Sequence, residues 1–550
     1  MNGIIKYCLV ILFFCSGLIA QELPEQFRID KVIFSSLKPS SESRILNTVK
    51  FSPIPVSSPT IISNFITDII VISNPVTDTI WFGTGRGISR TTNYGLSFQN
   101  YYGTEPFGEQ DVSGIAVYKN WVVVATAFSQ TINDQNVPTG SGIKVSSDYG
   151  VTWISYPQPK DSQGDTLISY GISTIRALAV VVNEFNLAYD IAITRKNLNS
   201  DSLVFWITSW AGGIRKSTDF GQTWQRVVLP PDAFNFITPS GGPYNFQLNP
   251  RDPPLGNNNH KAFSVAAAND STIYVGTANG INVSTDWGVS WRKYNFDSTG
   301  QGSGVSGDFV VAISVQQFNG TSVIWGATNP TKAGEFSALS YSTNSGAIWS
   351  NTLRNAQFPH NIGFKDSIVY AATDNGIWRS FFNPPNFSWS RPSVIYDPDI
   401  RDKISTDRFY SVSSQGDSIW VGSGDGLART TDTLPSPWVS KWKIFRAYQG
   451  LNSVNETYAA PNPFSPDDEP CRIYFKTGKI SSQVTVKVFD FAMFPVRTII
   501  QNANRTSPDV LWVVWDGKRN DGTQVSNGVY FYRIEIDRDI VLWGKILVLQ

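Results

Sequence analysis

Histidine is nearly absent from this chain: of 550 residues only His260 and His360 carry an imidazole. That excludes a multi-histidine metal centre and leaves a Ser-His-Asp relay two possible bases. Cysteine is as scarce, with Cys8, Cys15 and Cys471 alone, so no disulfide framework is available and a buried core must supply the stability. Net charge is missing too: 44 basic residues balance 44 acidic ones and no basic run reaches five. Without a bulk field, neither nucleic acid nor an anionic membrane is an expected partner. Beyond the first residues no apolar run approaches the ~20 residues that span a bilayer, which predicts no integral membrane segment. The glycine-rich strings, such as Gly83-Thr-Gly85-Arg-Gly87, lack the Gly-Lys-Ser/Thr ending of a phosphate loop. No cofactor and no metal site are expected.

What is present is apolar and rich in turns. At 41% hydrophobic, 13% aromatic and 16% charged residues the chain is too apolar for wholesale disorder, and its length suits two to four domains of roughly 100 to 200 residues. Lys6, an apolar run from Tyr7 to Phe14 and small residues ending at Ala20 read as a secretory signal over residues 1–20, giving an exported mature chain from Gln21. A polar N-terminal segment, 21–60, follows.

An octapeptide then recurs: Ser146 to Trp153, Ser217 to Trp224 and Ser284 to Trp291 all read Ser-x-Asp-x-Gly-x-Ser/Thr-Trp. Looser copies stand at Thr91 to Phe98, with Asn93, and at Ser342 to Trp349, with Asn344, and degenerate ones follow Arg379 and Thr430. Six intervals from Thr91 to Thr430 average about 56.5 residues, so seven units tile residues 61–450. Each unit carries an upstream hairpin such as Ile273-Tyr-Val-Gly-Thr-Ala-Asn-Gly-Ile281, where Gly after Asn or Asp suits the positive φ of a tight turn. Further upstream lies an apolar stretch, for example Phe309 to Val315 or Ile175 to Val182, read as a fully buried inner strand. Four-stranded units repeated seven times predict an all-β chain built on a seven-bladed β-propeller. Within each unit the aspartate or asparagine (Asn93, Asp148, Asp219, Asp286, Asn344) is expected to accept turn N–H groups, and the tryptophan to anchor the hairpin. These residues are structural, because a catalytic acid is not needed once per blade.

The octapeptide resembles the Asp-box (BNR) propellers, a group that includes sialidases, xyloglucan-degrading glycoside hydrolases, sortilin-type receptors and photosystem assembly factors. Such a resemblance implies a fold and leaves the activity open. Sialidases carry an arginine triad whose first member sits in a Phe-Arg-Ile-Pro string; the nearest match, Phe27-Arg28-Ile29-Asp30, lacks the proline and precedes the first inner strand near Ile66. Only Glu105, Glu109, Glu184 and Glu335 occur between residues 61 and 450, and none pairs with a tyrosine as a nucleophile would require. Asp308 and Asp407, near the starts of inner strands, could form the carboxylate pair that glycoside hydrolysis needs. No catalytic residue is assigned.

Long insertions fall at 129–141, 329–337, 229–261 and 295–307, in positions expected on the rim opposite the Asp boxes. Binding is therefore expected there. The longest insertion offers Phe234, Phe236, Tyr244, Phe246, Arg251 and His260 as a candidate site for a sugar or peptide, though the same aromatics could pack the loop on itself.

Near residue 459 the pattern changes to alternating strands. Val484, Val486 and Val488 share one face and Tyr530, Tyr532, Ile534 and Ile536 another, as in a small β-sandwich. The strings Pro461-Asn-Pro-Phe464, Trp515 to Gly522 and Gly528 to Ile534 resemble the FlgD-like immunoglobulin domain and the sorting domains of Bacteroidetes-type type IX secretion. The resemblance implies that residues 459–550 engage the secretion machinery of a Gram-negative bacterium and place the protein outside the cell or on its outer surface. The expectation is thus a surface binding scaffold without catalysis, its ligand a glycan or protein; the alternative is a surface glycoside hydrolase, sialidase-like or xyloglucanase-like, with a carboxylate pair at the propeller centre.

Overall fold

The computed structural model describes Ile29 and residues 50–549, except 73–77, 134, 198–201, 297–303, 355–356, 401, 434–436, 449 and 468–469. The leader and Arg28 lie outside the described residues. Among these, seven antiparallel sheets follow one another along residues 50–445, each a meander whose neighbours in sequence are neighbours in the sheet. Their first strands are Ile66–Ile72, Asp111–Tyr118, Asp190–Arg195, Ala262–Ala267, Phe309–Phe318, Pro359–Lys365 and Phe409–Gln415. Each packs on the first strand of the next sheet, and the seventh packs on the first. The result is a closed β-propeller ring.

Because the sheets lie face to face around that ring, both faces of a strand are covered, and the strands read as unbroken apolar runs. In Leu203–Ser209 every residue is buried. Ring closure uses side chains and turns: the Ser411 hydroxyl donates to the Ile66 carbonyl (3.3 Å), the Ala447 N–H donates to Asn64 Oδ1 (2.8 Å), and the Gly426 N–H donates to the Asn64 carbonyl (2.7 Å). Two short pieces of the N-terminal segment add fifth strands: Val56–Ser58 pairs with Phe98–Tyr101, and Lys50–Phe51 with Trp153–Tyr156. In the sixth sheet the fourth strand shrinks to one bridge between Arg379 and Ser390. There the aspartate of the degenerate seventh motif, Asp432, turns inward and binds the Tyr370 hydroxyl and Arg379 Nε at 2.5 Å each, tying the sixth sheet to the seventh.

One expected inner strand is corrected. Ile175 to Val182 does not line the ring; Ile175 belongs to Ser173–Ala177 in a separate three-stranded sheet with Leu167–Tyr170 and Gln247–Leu248. The inner strand of the third sheet is Asp190–Arg195. Both stretches are apolar enough to be buried, and hydrophobicity alone does not separate a ring strand from a strand wedged between two sheets.

Residues 458–548 form two further sheets, Tyr458–Ala460, Cys471–Lys476 and Val510–Trp515 in one, and Pro495–Arg505, Ser482–Phe489, Gly528–Ile536 and Ile540–Val548 in the other. The inward Val484, Val486, Val488, Tyr532, Ile534 and Ile536 meet Cys471, Ile473, Phe475 and Trp515 in a single core.

Candidate functional site

The rim that carries the octapeptide turns is repetitive and self-satisfied. In the second sheet Asp148 Oδ1 accepts the Ser146 hydroxyl and the Thr152 N–H (2.8 Å each), the Ser146 hydroxyl accepts the Gly150 N–H (2.8 Å), and Trp153 Nε1 donates to the Gly150 carbonyl (3.1 Å). The same arrangement recurs around Asp219 and Asp286, and with an amide oxygen around Asn93 and Asn344. Tyr149 and Gly150 both take left-handed φ, 59° and 81°, which lets the turn tuck under the neighbouring sheet. A Cβ on Gly150 would stand 2.4 Å from Cη2 of Trp81 in the first sheet, and one on Gly288 2.6 Å from Trp206 in the third. The upstream strings and the octapeptide are thus two halves of one contact between consecutive sheets. Burial raises the pKa of Asp148, Asp219 and Asp286, but the serine, threonine and backbone donors outweigh it and hold all three low. These carboxylates are spent on the turn.

The longest insertion is not confined to the opposite rim. Phe236–Ile237 runs down the outside of the fourth sheet as its fifth strand, and Ser290 donates to Thr238 (3.1 Å); from the 157–189 connection the Tyr170 hydroxyl donates to the Val289 carbonyl beside Asp286 (2.8 Å). The insertion's apolar side chains fill the wedge between the third and fourth sheets. Phe234, Tyr244 and Phe246 form a triangle of rings 6.1 to 6.3 Å apart, and the Tyr244 hydroxyl bonds both the N–H and the carbonyl of Thr238 (3.2 Å each). Phe236 stacks under Arg292 instead. Arg251 is exposed. His260 is buried, its Nε2 3.1 Å from the Ala211 carbonyl, and burial pushes its pKa down to about 4. Three of the six residues are therefore joined, and His260 faces the interior. Two further insertions, 157–189 and 382–408, also occupy sheet-to-sheet connections.

The rim opposite the octapeptide turns holds a different chemistry. At the starts of the inner strands a chain of ring contacts runs from the third sheet through the seventh to the first: Tyr189–Phe263 at 5.3 Å, Phe263–Phe309 at 4.9 Å, Phe309–Phe358 at 5.9 Å, Phe358–His360 at 5.0 Å, His360–Tyr410 at 5.1 Å and Tyr410–Phe65 at 4.8 Å. Ile29 packs against the same cluster. Above this arc Asp374 Oδ1 bridges His360 Nε2 (2.7 Å) and Arg408 Nε (3.1 Å). Beside them opens a cleft of about 1170 Å³, lined from the ring by Arg86, Tyr102, Asp374, Asp407, Arg408 and Tyr410, and from the C-terminal sheets by Tyr458, Asn462 and Asp467. Sequence reasoning named Asp407 alone of these. An aromatic at the start of the inner strand in most repeats was the available signal.

Asp308 and Asp407 sit in different sheets, the fifth and the seventh. The carboxyl beside Asp308 is Glu335: the Asp308 N–H donates to Glu335 Oε2 (3.1 Å), and Lys332 Nζ approaches Asp308 Oδ2 (3.4 Å) and Glu335 Oε1 (3.6 Å). Burial first, then Glu335, pushes the Asp308 carboxyl up to about 7. With both side chains almost wholly covered, the pair fastens the 329–337 insertion.

No known family profile matches the chain, and no curated protein does. Among solved structures it is similar to PorZ, described as an essential bacterial surface component of the type-IX secretion system of Porphyromonas gingivalis, at 13% identity and a TM-score of 0.38 over 88% of this chain and 66% of PorZ. YCF48 from Cyanidioschyzon merolae aligns at 14% identity and a TM-score of 0.35 over 66% of this chain and 92% of its own. The extracellular domain of a hybrid two-component system from B. thetaiotaomicron aligns at 12% and 0.31 over 86% and 76%. Identities and scores this low assign neither a family nor an activity.

Proposed function

We propose that the protein is an exported surface scaffold: a seven-bladed Asp-box propeller that binds a glycan or protein on the rim opposite the Asp boxes without turning it over. An immunoglobulin-like C-terminal domain then serves export by a type IX-like route. One observation carries the binding reading: Tyr102, Tyr410 and Tyr458 line a large open cleft together with the paired Asp374 and Arg408, whereas the octapeptide turns consume their own polar groups. Ligand sites combine apolar walls with a few placed polar groups in this way. The non-catalytic reading follows from Asp374, whose one oxygen is shared between two donors. A general acid needs a carboxyl with a raised pKa facing the substrate; Asp308, whose carboxyl burial raises, is covered and does not line the cleft.

The test is retention of the mature full-length chain in gels carrying polysaccharides, together with release of nitrophenol from aryl glycosides. Retention without release, weakened by Asp374→Ala, is the expected result. Steady glycoside release lost in Asp407→Ala would replace this reading with the hydrolase.

A further inference from the structure

We infer that the C-terminal domain is a fixed wall of this cleft, and that the cleft takes an uncharged oligosaccharide. The inference rests on the binding reading above and adds the second half of the site and the chemical class of its ligand.

The two parts are joined by buried charge. Arg472, in the second strand of the C-terminal three-stranded sheet, places both guanidinium nitrogens on Asp425, at 2.5 and 2.9 Å. Asp425 stands in the turn between Ser418–Ser423 and Gly426–Thr431 of the seventh sheet, on the same rim as the cleft. Its Oδ1 also meets Arg446 Nη1 (2.9 Å) and its Oδ2 accepts the Ser405 N–H (2.8 Å), while Arg446 Nε binds Asp402 (2.8 Å). All four side chains are at least 96% covered. Two cations and two anions balance, and burial of such a set is tolerable only while every partner is present. Take the domain away and Asp425 loses its bidentate partner. Stacking continues the joint: Tyr448 at the end of the ring lies 6.2 Å from Tyr474 and 6.0 Å from Trp512, and Tyr458 lies on Tyr474 at 4.6 Å and 15°.

The lining then selects the ligand. Tyr102 and Tyr410 line the cleft from the ring and Tyr458 from the C-terminal sheets, and the C–H faces of sugar rings pack against aromatic side chains. Arg86, Arg408, Asp374, Asp407 and Asp467 are the charged lining groups, two cations against three anions, so an acidic polymer meets no net positive field. Paired hydroxyls of a neutral sugar match planar carboxylate and guanidinium groups, which bond two neighbours at once. At about 1170 Å³ the cleft exceeds the roughly 300–1,000 Å³ of small-molecule pockets, room for several sugar units.

The experiment uses the full mature chain and three probes: neutral glucan, mannan and xylan oligosaccharides, acidic hyaluronan and sialyl oligosaccharides, and a random peptide library. Variants are Tyr458→Ala and Asp467→Ala on the C-terminal wall, Asp407→Ala on the propeller wall, and Arg472→Ala with its conservative partner Arg472→Lys at the joint. Calorimetry is expected to show a neutral oligosaccharide bound, with affinity at least tenfold lower in Tyr458→Ala, Asp467→Ala and Asp407→Ala, and with the melting temperature unchanged in Asp467→Ala and Asp407→Ala. Arg472→Ala should lower affinity and open residues 451–457 to protease, and Arg472→Lys should restore part of both. Loss in Asp407→Ala with wild-type binding in Tyr458→Ala and Asp467→Ala would overturn the shared wall and leave the propeller reading intact. Binding unaffected by any wall variant would overturn both. Binding only of acidic glycans, only of peptides, or of nothing would overturn the assigned ligand class.

Discussion

The two rims of the ring are made by the same seven sheets and behave as opposites. On the octapeptide rim five hairpins repeat one hydrogen-bond pattern, and a tryptophan or tyrosine of the preceding sheet stands within 3.5 Å of where a Cβ would sit on each of their five glycines. On the other rim the connections diverge: four are two-residue turns sharing one hydroxyl-to-carbonyl bond, from Thr84, Thr277, Thr373 and Ser423, while others are insertions of about thirty residues that include strands of their own. Uniformity on one side fixes the spacing of the sheets, and that frees the other side to vary without cost to the ring. Stability and binding should therefore separate by rim.

The largest effect is expected from Gly150→Ala. A methyl group 2.4 Å from the Trp81 ring at φ +81° adds overpacking to left-handed strain, a cost of about 2–5 kcal/mol, read as a large fall in melting temperature with ligand affinity retained below the transition. Asp286→Ala should cost less, about 1–2 kcal/mol, by stranding the N–H groups of Val289 and Ser290. Asp286→Asn should cost little, since Asn93 and Asn344 already do this work.

Acidity sharpens the contrast on the variable rim. Asp308 has its carboxyl raised from 3.8 to about 7, so the folded state holds a proton that the unfolded state releases, and stability falls as pH rises between those values. His260, lowered from 6.5 to about 4, has the opposite sign and loses stability as pH falls through that window. Melting curves of Asp308→Asn should lose the first slope and keep the second. The smallest effect on stability is expected from Arg408→Ala, whose exposed pair with Asp374 is worth about 0–1 kcal/mol; its readout is ligand affinity, which should fall.

How much was legible follows the same division. The octapeptide repeats locally, so an all-β propeller and its unit length could be read from sequence pattern. Alternation placed Val484, Val486 and Val488 in the C-terminal core for the same reason. The cleft could not be read, because Arg86, Asp374, Arg408 and Tyr458 come from four distant stretches that only ring closure and domain docking bring together. The 229–261 insertion is ambiguous in sequence because its aromatics suit a ligand and a wedge equally; Tyr244 and Phe246 pack into the space between the third and fourth sheets, while Phe234 and Phe236 stay partly exposed.

Hydrogen exchange followed by mass spectrometry, on the full chain with and without a saturating neutral oligosaccharide, tests the central claim most directly. Protection at residues 60–65, 372–376, 405–410 and 458–467, with the Asp-box hairpins unchanged, is the predicted result. Protection at the hairpins around Asp148, Asp219 and Asp286, with the cleft unchanged, would contradict it.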